Sequence, residues 1–448
     1  MENQTVIFDS LGQGLFGAAL VSSLNIGCGV QDAFRGRPTS SLGFLGLNLN
    51  ALQDDISSMS DSLTQARDSC NKIDEMLKRK QLSVNHDKSK FLVIGNKAYR
   101  KKTLEETTKD PVKMGSITIN HSEKEKYLGD WIHEKGCIES VSETIKTRIN
   151  GLIGVCQEII DTAEEPLMGI NSQTGINLFE AQVIPKLLTN CESWIGITDA
   201  HIAELQNFQD KFLLNLFHLP KSTTRALLHW DCNMKLMKWR IAERKLIFLN
   251  KLMIKDDKNI ALRAVQNEMI LGLKGLAFEC DALANMIGIQ NVIFNRVTKS
   301  EIKNAIKDAD LNEKRAKMQN SKKVRDRLSD DPSDKEYLTF MSLPMSRIWI
   351  RHRARAIAGV KMNTKSSYKE DLSCRFCSEE AEETQEHLES CEGTSHERRK
   401  LNIELQGPLG RLWFWRRMRV RLLRLQEEEK KKKKRERSER DLNTAAVT

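Results

Sequence analysis

Proline and glycine are scarce for a chain of this length, 8 and 24 among 448 residues, and aromatic residues make up only 6%. Those shortages exclude a collagenous chain, a proline-rich linker array and an all-β sandwich assembly, and they leave helix as the expected majority. Cysteine is thin too: Cys28, Cys70, Cys137, Cys156, Cys191, Cys232 and Cys280 are scattered, and only Cys374, Cys377 and Cys391 cluster. That is not the density of a secreted disulfide scaffold, and it points to a reducing, intracellular compartment, nucleus or cytoplasm. Long apolar runs are also missing. The stretch from Leu15 to Val30 is broken by Gly, Ser and Asn, and Met1 to Val6 lacks the basic region of a signal peptide. Neither a membrane span nor secretion is therefore expected, and no membrane partner.

Apolar and charged residues are plentiful, at 40% and 29%, which suits a soluble chain of roughly two to four domains with a sizeable core. The net charge of +10 is concentrated at one end. From Gly410 onward there are 14 Lys/Arg against 6 Asp/Glu, which leaves 57 against 55 in everything before. Lys430 to Lys434, with Arg435, Arg437 and Arg440, forms a run able to meet phosphates or to act as a nuclear-import signal.

Hydrophobic spacing divides the rest. Leu45 to Leu52 alternates apolar and small polar residues, as a strand does, and ends at Asp54 and Asp55. Met59, Leu63, Ala66, Cys70, Ile73 and Leu77 recur at three- and four-residue steps, which predicts an amphipathic helix over 59–80. Phe91 to Ile94 reads as a short buried strand, and Ile117 to Ile119 with Tyr127 and Leu128 as a further pair. Beyond Gly136 the period is helical over 141–163, 175–188, 200–217 and 235–254. Residues 303–331, rich in both charge signs, suggest an exposed helix or linker with little core. The expected fold class is α+β: a mixed region 1–136, a mostly helical region 137–334, a small module 335–405 and a basic tail 406–448, without order in its last part.

Cys374-Arg375-Phe376-Cys377 is followed by His387 and then Cys391. Two soft ligands on a knuckle, with His and Cys a helical turn apart, can close a tetrahedral zinc site, and four filled positions make it structural rather than catalytic. The spacer between Cys377 and His387 holds Glu379, Glu380, Glu382, Glu383 and Glu386, which repel phosphate. If this module touches nucleic acid, the contacts are expected from flanking residues, Arg347, Arg351, Arg353 and Arg355 on one side and Arg398, Arg399 and Lys400 on the other, which read equally well as solvated charged helix. Asp54 and Asp55 form the second constellation. Paired carboxylates on a hairpin can hold the divalent cations of nucleotidyl transfer, although Asp-Asp is also an ordinary polar turn. His218, His229 and Trp230 read as packing or capping residues.

Taken in order, these motifs resemble the reverse transcriptase of non-LTR (LINE-like) retrotransposons, from about Phe8 to Lys400. Gly12-Gln13-Gly14 resembles the Gln-Gly loop that contacts template and nucleotide, and Leu52-Gln53-Asp54-Asp55 the catalytic hairpin. Leu82 to Asn85 with Lys88, Lys90 and the strand to Gly95 resembles the palm motif that follows. Lys126-Tyr127-Leu128-Gly129 resembles the primer-gripping hairpin. The resemblance implies a reverse-transcriptase palm followed by a helical thumb and a zinc knuckle. It implies Asp54 and Asp55 as catalytic residues, Gln13, Gly14, Lys88, Lys90, Tyr127 and Gly129 as nucleotide- or nucleic-acid-binding residues, magnesium at a working palm, and RNA and DNA as partners.

In this family a further catalytic aspartate lies on a strand well upstream of the Gln-Gly loop, whereas here eleven residues precede Gly12. Only two residues lie between Asp9 and Gly12, too few for the helices that normally intervene. The expectation is thus an N-terminally truncated, partial palm whose second carboxylate strand is missing and which is not catalytic alone. The alternative is a non-enzymatic nucleic-acid-binding protein that uses thumb, knuckle and tail.

Overall fold

A computed structural model of the chain describes residues 4–10, 49–52, 55–60, 62–79, 81–85, 87–127, 129–164, 170–256, 259–290, 297–325, 337–357, 373–377, 381–400 and 408–445. It is mostly helical with small sheets, and it divides into two compact units. The first comprises Met1–Asn150, Leu187–Leu205 and Met237–Lys307, and the second Gly151–Lys186, Gln206–Leu236 and Asp308–Thr448. The helical region expected as one domain over 137–334 is therefore shared between the units. Helical period marks which faces are apolar but not which core each face joins.

Among the described residues of the first unit the strands are β1 (Gln4–Ser10), β2 (Leu49–Leu52), β3 (Asp55–Ser60), β4 (Lys90–Ile94), β5 (Lys113–Met114), β6 (Ile117–Thr118), β7 (Asn120–His121), β8 (Lys124–Tyr127) and β9 (Asp130–His133). Five share a sheet in the order β2-β3-β1-β4-β7, antiparallel except for β4 with β7. β2 and β3 form the expected hairpin, with Leu52 opposite Asp55.

An aspartate-bearing strand does stand beside this hairpin. β1 lies between β3 and β4, with Asp9 opposite Ile56 and Ser10 opposite Asp55. A strand takes such a place by register alone. Because β1 and β2 both pair antiparallel with β3, they run parallel to each other, and such strands need a crossover of a dozen or more residues. Residues 11–48 supply that length.

The helix Leu63–Arg79 starts later than the spacing predicts, because Met59 belongs to β3 and pairs with Val6. A four-residue step from a strand's end to a helix's start looks like one more helical turn. Leu63, Ala66, Cys70, Ile73, Met76 and Leu77 pack against Phe91, Val93, Val112, Met114 and Ile119. Leu92 faces the other way, onto Tyr127 and Ile132. β4 is therefore covered on both sides, which is why its sequence is a continuous apolar run. The further strand pair also differs from expectation: Ile117 pairs with Met114, and Tyr127 with Asp130.

Deeper in this unit Lys245 is fully buried. Its Nζ donates to the Trp194 carbonyl at 2.5 Å and pairs with Glu279, which accepts the Gly196 N–H at 2.6 Å. Burial also pushes the Cys191 and Cys280 thiols up to about 12. Both are expected to resist iodoacetamide in the native protein at mildly alkaline pH and to react after denaturation, as read by mass spectrometry.

In the second unit Phe179 stacks on Phe212 at 4.2 Å. Ala226, Leu227, Trp230, Met318, Val324, Ala354 and Ala356 form one cluster. The 303–331 stretch thus has more core than its charge suggests: Met318 and Val324 are buried, and so is the Lys314–Asp310 pair at 2.6 Å. The expected tail is also structured. Pro408–Ala445 is one helix that buries Leu412, Phe414, Trp415, Met418 and Leu422, and its Lys/Arg/Glu-rich continuation has strong helix propensity. No helix among the described residues is long and apolar enough to cross a membrane.

Candidate metal centre

Cys374 follows Ser373, which bridges to Glu382, and the Cys374 N–H donates to the Ala381 carbonyl at 2.9 Å. This small hairpin turns Cys374 and Cys377 toward the helix Gln385–Ser390. Thr384 caps that helix, its Oγ1 accepting the His387 N–H at 3.0 Å. Cys391 closes it, with its N–H donating to the His387 carbonyl at 2.7 Å. Thr394 Oγ1 and Arg398 bond the last helical carbonyls at 2.8–3.2 Å.

The four ligand atoms of Cys374, Cys377, His387 and Cys391 all lie within 4.8 Å of one another. Cys374 Sγ is 3.8 Å from Cys391 Sγ, and Cys377 Sγ is 3.3 Å from His387 Nε2. An ion bound by sulfur at about 2.3 Å and nitrogen at about 2.0 Å, with tetrahedral angles, sets sulfur–sulfur edges of about 3.8 Å and sulfur–nitrogen edges of about 3.5 Å. The site therefore fits a metal ion such as zinc. Burial pushes the Cys391 thiol up to about 12 and raises Cys374 as well, so both hold their protons at neutral pH until a dication displaces them.

Two supporting residues carry no signal that spacing reveals. Glu383, from the acidic spacer, is fully buried and clamps Arg375 through two bonds of 2.6 and 2.8 Å. Gly393 sits so close to the knuckle that an added Cβ would lie 1.5 Å from the Phe376 carbonyl oxygen. Gly393→Ala is accordingly expected to weaken zinc binding by about tenfold or more, as removal of supporting groups does at metal sites. Competition with a chromophoric chelator measures it, and parent-like affinity would contradict the close packing.

Several of the arginines that flank the knuckle make contacts within the protein. Arg353 is buried against Asp231, and Arg347 donates to the Leu216 carbonyl at 2.8 Å and to Glu164 at 2.6 Å. Arg351 donates to the His218 carbonyl, Arg355 pairs with Glu386 at 2.8 Å, and Arg398 bonds the helix end. Arg399 is exposed. Counting charges in sequence registers the cations but not the carbonyls and carboxylates that the fold sets opposite them. His229, buried 2.6 Å from Asp210, and buried Trp230 fit the packing reading.

Gln13, Gly14 and Asp54 lie outside the described residues, and Asp55 opens β3. Lys88 is exposed on the Asn85–Ser89 turn, and Lys90 begins β4 opposite Phe8. Tyr127 packs against Leu92. Gly129, at φ +90°, makes the turn between β8 and β9, where its carbonyl accepts from Arg148 at 3.1 Å. Arg148 also holds Asp130 at 2.7 Å, and Asn190 donates to the same carboxylate at 2.9 Å. Asp130 and Arg148, absent from the motif reading, anchor this hairpin. No protein-family model matches the chain, and no curated protein matches it.

Proposed function

We propose that the chain is a nucleic-acid-binding protein of the reverse-transcriptase kind, a palm-type sheet joined to helices, a zinc knuckle and a basic helix, and that it does not polymerise alone. One observation carries this reading: the sheet register gathers Asp9 at the end of β1, Asp55 at the start of β3 and Lys90 at the start of β4 at the same end of the sheet. Carboxylates at such an end suit divalent cations, and lysines suit phosphates. Asp54 and Asp55 are the residues that would hold magnesium; Asp9 lies at the same end of the sheet but opposite Ile56, one step out of register with Asp55 and so on the other face from it.

Silence follows from spacing inside the chain. Only two residues separate Asp9 from the Gly12-Gln13-Gly14 loop, and Leu52 stands where the family carries an aromatic residue. The test pairs two measurements. Anisotropy with a labelled primer-template is expected to show binding that weakens with salt. Extension of oligo(dT) on poly(rA), with magnesium or manganese, is expected to give no product. Incorporation that disappears in Asp54→Ala would overturn the non-catalytic reading, and lack of binding at low salt would overturn the whole proposal.

The basic run adds a second expectation. Removing residues 430–448 should flatten the salt dependence of binding by about 0.7 to 0.9 in log–log slope for each phosphate that the run neutralises in the intact chain. The cut is placed after Glu429 because its carboxylate holds Arg375 at 3.0 Å. An unchanged slope assigns the run to nuclear import or solvation.

A further inference from the structure

Between Gly410 and Gln426 the last helix holds six arginines, no lysine and no acidic residue. One face of this stretch, Leu412, Phe414, Trp415, Met418 and Leu422, is buried within the second unit. The opposite face exposes Trp413, Arg416, Arg417, Val420, Arg421 and Arg424, at the three- and four-residue steps that make a continuous stripe. Trp413 is 39% exposed, and the Arg416 guanidinium lies over its ring at 5.0 Å.

Three of the cations in and around this helix are answered. Arg411 faces Glu389 at 3.7 Å, Arg421 faces Glu397 at 3.3 Å, and Arg347 faces Glu164 at 2.6 Å. Arg416, Arg417 and Arg424 have no carboxylate among the described residues. At the stripe's edge the Nε atoms of Arg419 and Arg351 are buried with no hydrogen-bond partner. Burial, then the charges of Arg419 and Arg347, pulls Arg351 down to about 10. This corner of the unit holds more donors and positive charge than the protein itself satisfies.

We infer that the exposed stripe of Trp413, Arg416, Arg417 and Arg424 is a binding surface for single-stranded nucleic acid. The inference rests on the nucleic-acid reading above and locates its contact. Phosphodiesters supply acceptors to the exposed Arg416, Arg417 and Arg424, whose guanidinium forks bond them bidentately. An exposed indole flanked by arginines stacks on an unpaired base, whose face a duplex hides. A bilayer suits the surface poorly, because the helix has already buried its apolar face and only Trp413 and Val420 remain to enter lipid.

The test uses the full zinc-loaded chain, fluorescein-labelled oligo(rU) and anisotropy across a salt series. Trp413→Ala is expected to weaken binding about tenfold with the salt slope unchanged, since stacking releases no counterions. The triple variant Arg416→Gln, Arg417→Gln, Arg424→Gln is expected to bind more weakly and to lose about two units of slope. All four residues are exposed, so zinc content and melting should match the parent. If the parent binds and both variants bind equally well, this surface is wrong and the nucleic-acid reading survives. If the parent itself fails to bind, the reading beneath it falls as well. Parent-like affinity for a duplex of the same length, or variant-sensitive binding to phosphatidylserine vesicles without binding to oligo(rU), would also overturn the inference.

Discussion

Cys391→Ser is expected to abolish stoichiometric zinc and to unfold the knuckle, while elemental analysis of the parent gives about one zinc per chain. Zinc contributes about 10–16 kcal/mol to the folding of isolated zinc-finger modules, more than any single side chain can replace. The loss should stay local. Hydrogen exchange is expected to show residues 373–400 losing protection, while the helix over β4 keeps its own apolar contacts with Phe91 and Val93. The full chain is the right material, because the knuckle leans on the last helix: Trp415 Nε1 donates to Glu389 at 2.7 Å and Arg375 meets Glu429. Retention should also fail in acid, since protons compete for the same thiolates and imidazole. A parent chain purified without zinc and unable to take it up would end this reading.

Asp231→Ala is expected to destabilise the second unit by about 3–5 kcal/mol, the usual result of stranding a buried charge. Asp231 is 1% exposed and accepts Arg353 Nε at 2.7 Å, an Arg353 terminal nitrogen at 3.0 Å and the Tyr337 hydroxyl at 3.0 Å. Burial, then the charge of Asp231, holds the Tyr337 hydroxyl well above its usual range, so it remains a donor. Tyr337→Phe removes a single bond and should cost only about 1 kcal/mol. Urea unfolding compares the two, and a loss for Asp231→Ala no larger than that for Tyr337→Phe would show that Arg353 finds other partners.

What the sequence makes legible depends on how far apart the partners lie. The zinc ligands span a short stretch in which spacing translates directly into geometry, and Cys374, Cys377, His387 and Cys391 converge. Strand β4 and the long helices follow from runs and periods of similar reach. Asp231 and Arg353 are 122 residues apart, and nothing local distinguishes either from a surface charge. The internal partners of Arg347, Arg351 and Arg353 are similarly distant in the chain, so spacing does not reveal them. Strand β1, with Asp9, lies beside β3 through register, which motif order does not encode.

The alternation of chain segments between the two units bears on how the protein is made. At about 5–20 residues per second, Asp231 leaves the ribosome roughly 6 to 24 seconds before Arg353, its 122-residue separation setting the delay. The first unit waits in a similar way, because Trp194 and Lys245 precede Glu279 and that unit's last stretch ends at Lys307. Throughout that interval, apolar faces and unanswered charges of both units are exposed together on one nascent chain, which makes the protein a demanding client for the chaperones that meet it during synthesis.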